Sequence, residues 1–215
     1  MIRQRPRAFV FINGIFTMPW RKSWNEKAVE FVTKNLPDCK AVKYQYYSDA
    51  IFVGWRQRER AMELMGIVNR LEREGYEVVL VGHSNGCAII SYIVNEMDED
   101  VGNLHLIAPA AYAYDFDLAI NRGNTSGVFI YGSNHDIPLT VFAPISRLLT
   151  LGLSGYGSLG AHARDLELRH PGMAFDYSNN TYGHSSWFDD DKFDDTMRLI
   201  MVNEGLMLVG NQTPA

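Results

Sequence analysis

The chain has 215 residues, 47% of them apolar and 21% charged, an ordinary globular composition long enough to bury a sizeable core. Its formal net charge of −5 gives no electrostatic reason to expect nucleic acid as a partner. No run approaches the ~20 apolar residues of a membrane span, so none is expected.

The first seven residues, Met1-Ile2-Arg3-Gln4-Arg5-Pro6-Arg7, lead into the apolar run Ala8 to Ile12. That outline resembles a signal peptide, but the apolar part is short, is interrupted by Asn13-Gly14, and has no small-residue cleavage site. The expectation is a basic tail running into a first buried strand, and a cytoplasmic protein. Cys39 and Cys87 support this: the first precedes one strand and the second lies beyond the end of another. At ~3.3 Å per strand residue the two ends are too far apart for a disulfide, and unpaired thiols suit a reducing compartment.

After the Asn13-Gly14 turn comes an apolar loop, Ile15-Phe16-Thr17-Met18-Pro19-Trp20. Ser23 and Glu26 have capping-box spacing, so a helix starts there, carries Trp24, Ala28, Phe31, Val32 and Leu36 on one stripe, and stops at Pro37. Ala41 to Tyr47 alternates, with Val42, Tyr44 and Tyr46 on one face, as a half-exposed edge strand does. Arg56 to Glu74 predicts a strongly amphipathic helix closed by Gly75.

Next comes the most informative stretch, Val78-Val79-Leu80-Val81-Gly82-His83-Ser84-Asn85-Gly86-Cys87-Ala88-Ile89-Ile90. It has the G-x-S-x-G pattern between a buried strand and a helix, the context in which a sharp strained turn lifts the serine hydroxyl clear of the sheet. Side chains at Gly82 or Gly86 would collide where strand and helix pass closely. The helix continues to Met97. Asn103 to Ala108 is a further strand, Ala110 to Gly127 irregular or weakly helical, and Val128 to Tyr131 a strand followed by Gly132-Ser133-Asn134-His135-Asp136-Ile137-Pro138. Leu139 to Leu151 is expected to be helical in part, and Gly152 to Gly160, with four glycines, to be a mobile loop. Met173 to Tyr177 predicts the last strand, and Asp189 to Glu204 a final helix with an acidic first turn. Strands alternating with helices give an α/β fold: a doubly wound, mostly parallel, six-stranded sheet with helices on both faces. No linker or repeat divides the chain. Residues 1–215 are expected to form one domain, with 1–6 and 206–215 as peripheral tails.

In a parallel sheet the C-terminal strand ends share one edge, where ligands bind. Ser84, Asp136 and His184 each follow a strand and so arrive at that edge, in the order nucleophile, acid, base. At these residues the chain resembles the α/β-hydrolase family of serine esterases and lipases, in a small version with no inserted cap. The resemblance rests on Gly82-His83-Ser84-Asn85-Gly86 for the elbow, Gly132 to Asp136 for the acid loop and Gly183-His184-Ser185 for the histidine loop. Asn13-Gly14-Ile15 matches the oxyanion loop, which in the family often begins His-Gly and here begins Asn-Gly. It implies a carboxylic ester hydrolase working through an acyl-enzyme on Ser84. His184 is then the base, Asp136 orients it, and the backbone N–H groups of Asn85 and Ile15 are oxyanion donors. No cofactor and no metal is implied.

Each role has rivals. For the base these are His135, His162 and His170: His135 has no strand to aim it, and the other two precede the last strand and start at the wrong end. For the acid they are Asp115 and Asp117, which follow the Leu104–Ala108 strand. Asp176 lies within a strand, and Asp189 to Asp191 read as helix-start charges. His83 reads as a scaffold residue and Cys87 as a packed core residue. Phe16 and Met18, with Ile137 after the acid, are candidates to line an apolar pocket for a small-molecule or lipid-like acyl substrate; the competing reading is that they cover the core. The same triad would serve a thioesterase, amidase or peptidase, and a binding protein could retain the fold without the chemistry.

Overall fold

A computed structural model describes residues 5–14, 23–46, 56–97, 100–142 and 157–206. Its centre is a six-stranded parallel sheet in the order β2-β1-β3-β4-β5-β6. The strands are β1 (Arg7–Ile12), β2 (Lys40–Tyr44), β3 (Glu77–His83), β4 (Leu104–Ile107), β5 (Val128–Tyr131) and β6 (Ala174–Asp176). The helices are α1 (Trp24–Asn35), α2 (Gln57–Arg73), α3 (Asn85–Glu96), α4 (Asp117–Arg122), α5 (Ala163–Arg169) and α6 (Phe193–Asn203). The near-continuous apolar runs of β1, β3, β4 and β5 belong to strands covered on both faces. The alternating β2 lies at one edge, with Lys43 exposed and Tyr44 buried.

The pleat sorts the side chains into two cores. Val10, Ile12, Leu80, Leu104, Leu106 and Ile130 face α2, α3, α4 and α5. Phe9, Phe11, Val79, Val81, Phe129 and Tyr131 face α1 and α6. The chain starts in the sheet interior, runs out to β2, and returns to the far side of β1 as β3. The strand order therefore reverses between β1 and β3, which opens a crevice at their C-terminal ends, next to Asn13 and Ser84.

Three segments differ from expectation. The final helix starts at Phe193 rather than Asp189, because the Asp189 carbonyl caps the turn before it, accepting from the N–H groups of Lys192 (2.9 Å) and Phe193 (2.8 Å). Helix α5 carries no sequence signal: its seven residues bury only Ala163 and Leu166, too few to display a period. The part of the glycine-rich stretch that is described, 157–160, is packed rather than mobile. Gly157, Leu159 and Gly160 donate backbone hydrogen bonds of 3.1, 2.9 and 2.9 Å to the carbonyls of Ala110, Ala111 and Pro109. A Cβ at Gly157 would lie 2.1 Å from the Ala111 carbonyl, so glycine there permits close approach. Residues 152–156, and all but the first four residues of Leu139 to Leu151, lie outside the described residues. Cys39 and Cys87 are both free thiols. No helix among the described residues is long and apolar enough to cross a membrane.

Candidate active site

The turn between β3 and α3 places Ser84 at φ 53°, ψ −122°, a left-handed backbone that a residue with a Cβ adopts only under constraint. The constraint is visible on both sides of the residue. Ser84 N–H extends the sheet by donating to Ile107 O (2.9 Å), while Ser84 O accepts from the N–H groups of Cys87 and Ala110, each at 3.1 Å. Helix and strand meet closely here: a Cβ at Gly86 would come within 2.7 Å of the carbonyl oxygens of both Ile12 and Asn13.

Asp136 closes the turn after β5 and is fully buried. Its Oδ1 accepts the Leu139 N–H at 3.0 Å, which fixes the carboxylate plane. His184 arrives from the far edge. Beyond β6 the chain stays tied to β5 through Tyr177 N–H to Ile130 O (2.8 Å) and Asn179 N–H to Gly132 O (2.9 Å), then turns inward. The structure brings the three side chains into one line: His184 Nδ1 lies 2.8 Å from Asp136 Oδ2, and His184 Nε2 lies 2.9 Å from Ser84 Oγ. Chemistry assigns the protons. A carboxylate can only accept, so Nδ1–H donates to Asp136, leaving the neutral imidazole's Nε2 lone pair to accept the Ser84 hydroxyl proton.

Below Ser84 lies a polar layer that no local sequence signal announces. Asn85 is fully buried; its Oδ1 accepts from Gln57 Nε2 (2.6 Å) and its Nδ2 donates to the Tyr46 hydroxyl (2.9 Å). Asn13 Oδ1 accepts the Tyr46 N–H (3.3 Å), and the Arg60 guanidinium sits 4.6 Å from the Tyr46 ring centre. Tyr46 thus links the turn after β1 to the start of α3, and burial raises its hydroxyl pKa well above the ordinary 10. The one cue in the sequence is its place at the C-terminal end of a strand bordering the crevice.

The rival residues are engaged elsewhere. Asp115 accepts the Tyr112 N–H at 2.7 Å. Asp117 pairs with Arg169 (3.2 Å) and His170 (2.7 Å). Asp176 accepts the Ser178 N–H (2.8 Å), and Asp190 pairs with Lys27 (2.6 Å). His135 is exposed, and His162 lines an open groove of about 440 Å³ with Tyr112, Tyr114 and Arg169. Of the candidate substrate residues, Ile137 is 62% exposed on the rim beside Asp136. Ile15, Phe16 and Met18 lie outside the described residues.

No family model matches the sequence, and neither does any curated protein. Solved structures do match. Thermogutta terrifontis esterase 2, phosphoramylated by tabun, superposes with a TM-score of 0.59 at 13% identity, over 95% of this chain and 85% of that one. Esterase PE8 gives 0.60 at 12% identity, over 93% of each chain. The Pyrococcus furiosus esterase Pf2001 gives 0.60 at 10% identity, over 94% of this chain and 84% of the other. The likeness covers nearly the whole chain, and the chain has the α/β-hydrolase fold.

Proposed function

We propose that the protein is a serine hydrolase acting on carboxylic esters, with Ser84 as nucleophile, His184 as general base and acid, and Asp136 as the group that orients His184. The observation that carries this reading is the unbroken relay from Ser84 Oγ through His184 to Asp136, at 2.9 and 2.8 Å, mounted on a strained turn. The names of the structurally similar esterases agree with it.

A serine hydroxyl is a weak nucleophile at neutral pH and needs an adjacent base. His184 Nε2 takes the Ser84 proton as Oγ attacks the acyl carbon, and the buried Asp136 stabilises the imidazolium that forms. Collapse of the tetrahedral intermediate breaks the bond to the leaving alkoxide, which takes the proton back from Nε2. Water then repeats the sequence on the acyl-enzyme, releasing the acid and restoring Ser84. The oxyanion is assigned to the backbone N–H groups of Asn85 and Ile15. The first opens α3, where helix geometry leaves N–H groups without an intrahelical acceptor. The second follows Gly14, at which a Cβ would lie 2.9 Å from Ser84 Cβ. Phe16, Met18 and Ile137 are assigned to the acyl side.

The test measures hydrolysis of p-nitrophenyl esters of graded acyl length against acyl thioesters and anilides, alongside covalent labelling by a fluorophosphonate. Esters should be preferred and Ser84 should carry the label. Ser84→Ala and His184→Ala should each lower kcat by about 10⁵ to 10⁶, and Asp136→Ala by about 10⁴. A clear preference for anilides would overturn the ester assignment. Absence of label on folded wild-type protein would overturn the nucleophile.

A further inference from the structure

We propose that His83 is a positioning residue whose Nε2–H, donated to the backbone carbonyl of His184, holds the loop carrying the base against the turn carrying the nucleophile. The proposal rests on the functional reading above and adds a residue to it.

His83 is the last residue of β3, adjacent in the chain to Ser84. Its Nε2 lies 3.0 Å from His184 O. A carbonyl oxygen can only accept, so the proton is on Nε2 of His83. The ring is buried where separate segments meet. Trp24 of α1 approaches at 6.2 Å between ring centres and 77°, Phe188 from beyond the histidine loop at 4.9 Å and 87°, and the His184 ring itself at 5.1 Å. Both neighbouring aromatic rings meet it edge to face, so the imidazole has little freedom to rotate its donor away from the carbonyl.

The loop is held before and after His184. Its first half is tied to β5 by the backbone bonds of Tyr177 and Asn179 and to the acid loop by Asn180 Oδ1, which accepts the Asn134 N–H at 3.0 Å. Its end is braced by the Gly183 N–H donating to Ser186 Oγ (2.6 Å) and anchored by Trp187, which packs on Tyr131 and Tyr182. His184 lies between these anchors. Its two ring nitrogens face Ser84 and Asp136, and the His83 bond adds a third fixed point, on the main chain of the base itself. Two of the three points belong to adjacent residues, so displacement of the strand end carries nucleophile and base together. The same burial keeps His83 neutral: removal from water, then the nearby His184, push its pKa down to about 3. An imidazolium formed on His184 during turnover therefore meets an uncharged neighbour.

Misplacing a catalytic group by about 1 Å can cost about 100-fold in rate. Three variants separate positioning from packing. His83→Phe keeps an aromatic ring and loses the donor, His83→Leu loses both, and His83→Gln carries an N–H at about the reach of Nε2. Active sites are counted by fluorophosphonate titration, and kcat and KM on a p-nitrophenyl ester are taken per titrated site, well below each variant's Tm. His83→Phe and His83→Leu should lower kcat about 10- to 100-fold with KM changed by less than about twofold, and His83→Gln should recover most of the loss. Folded His83→Phe and His83→Leu with wild-type kcat per site, or His83→Gln no faster than His83→Leu, would overturn the proposal while leaving the functional reading intact. A wild-type protein whose Ser84 does not react overturns the functional reading and this inference with it.

Discussion

Ser84 is held at a positive φ by neighbours that need its backbone where it is. A residue in such a region stores about 1–3 kcal/mol of strain, and glycine avoids most of it at an entropic cost of about 0.5–1 kcal/mol. Ser84→Gly and Ser84→Ala both lose the hydroxyl, but only the first relieves the strain. The glycine variant should be the more stable of the two by about 1 kcal/mol, seen in thermal melts as a Tm about 2–4 °C higher. Gly86→Ala tests the opposite pressure, because its methyl must displace carbonyl oxygens of the β1 end. It should cost about 1–3 kcal/mol in chemical denaturation. At this scale the sequence was unevenly legible. Ser84, Asp136 and His184 could be singled out because each follows a strand, and a parallel sheet gathers strand ends at one edge. The contact of His83 with His184 spans 101 residues, and the bond from Asn85 to Tyr46 spans 39. Neither leaves any local pattern, and His83 read simply as scaffold.

Among the elements, α6 is fastened by a buried polar cluster remote from Ser84. Glu204, just past its last turn, accepts from His105 Nε2 (2.7 Å) and Asn103 Nδ2 (2.9 Å), and its other oxygen lies 3.1 Å from Arg7 Nε. His105 continues through its Nδ1 to the Tyr131 hydroxyl (2.8 Å), which accepts from Asn203 (3.0 Å). Strands β1, β4 and β5 are thereby tied to one helix end. Burial works to raise the Glu204 carboxyl pKa, but hydrogen bonds from His105 and Asn103 and the Arg7 charge outweigh it and hold the group below its ordinary 4.5. A carboxyl depressed in the folded state stabilises above its unfolded pKa, and that contribution disappears as pH falls through the folded value. Wild-type stability should therefore drop as pH falls below about 4.5, and Glu204→Gln should lack this part of the acid dependence in denaturant titrations across that range. Glu204→Ala leaves Arg7 only the more distant Glu77 carboxylate (3.6 Å) and removes the acceptor of the His105 and Asn103 donors, and should cost about 1–3 kcal/mol at neutral pH. Element type was legible where an apolar period ran long, as in α2 and β3, or where a cap marked the start, as Glu26 does by accepting the Ser23 N–H at 3.3 Å. It was illegible in α5, where seven residues are too few to set a period.

Across the molecule, the alternation of strand and helix was enough to specify a doubly wound parallel sheet, because right-handed crossovers leave few other arrangements. The pairing of 157–160 with the segment after β4 was not, since glycine spacing reads alike whether the chain is loose or tightly apposed. Cys87 offers a probe of the whole structure. It is fully buried beneath the Ser84 turn, its thiol 3.9 Å from Ile107 O, and burial pushes its pKa well above the ordinary 9. Alkylation of Cys87 should be negligible in native buffer and should rise with denaturant in step with global unfolding, as followed by mass spectrometry.

The relay also has an order in time. Ser84 and His184 are separated by 100 positions, and the proposed base follows β6, the last strand of the sheet to be synthesised. At about 5–20 residues per second, a ribosome completes the proposed nucleophile about 5–20 seconds before its base. On the proposed reading, a nascent chain therefore gains esterase activity only after His184 has been added and the sheet edge that carries it has formed.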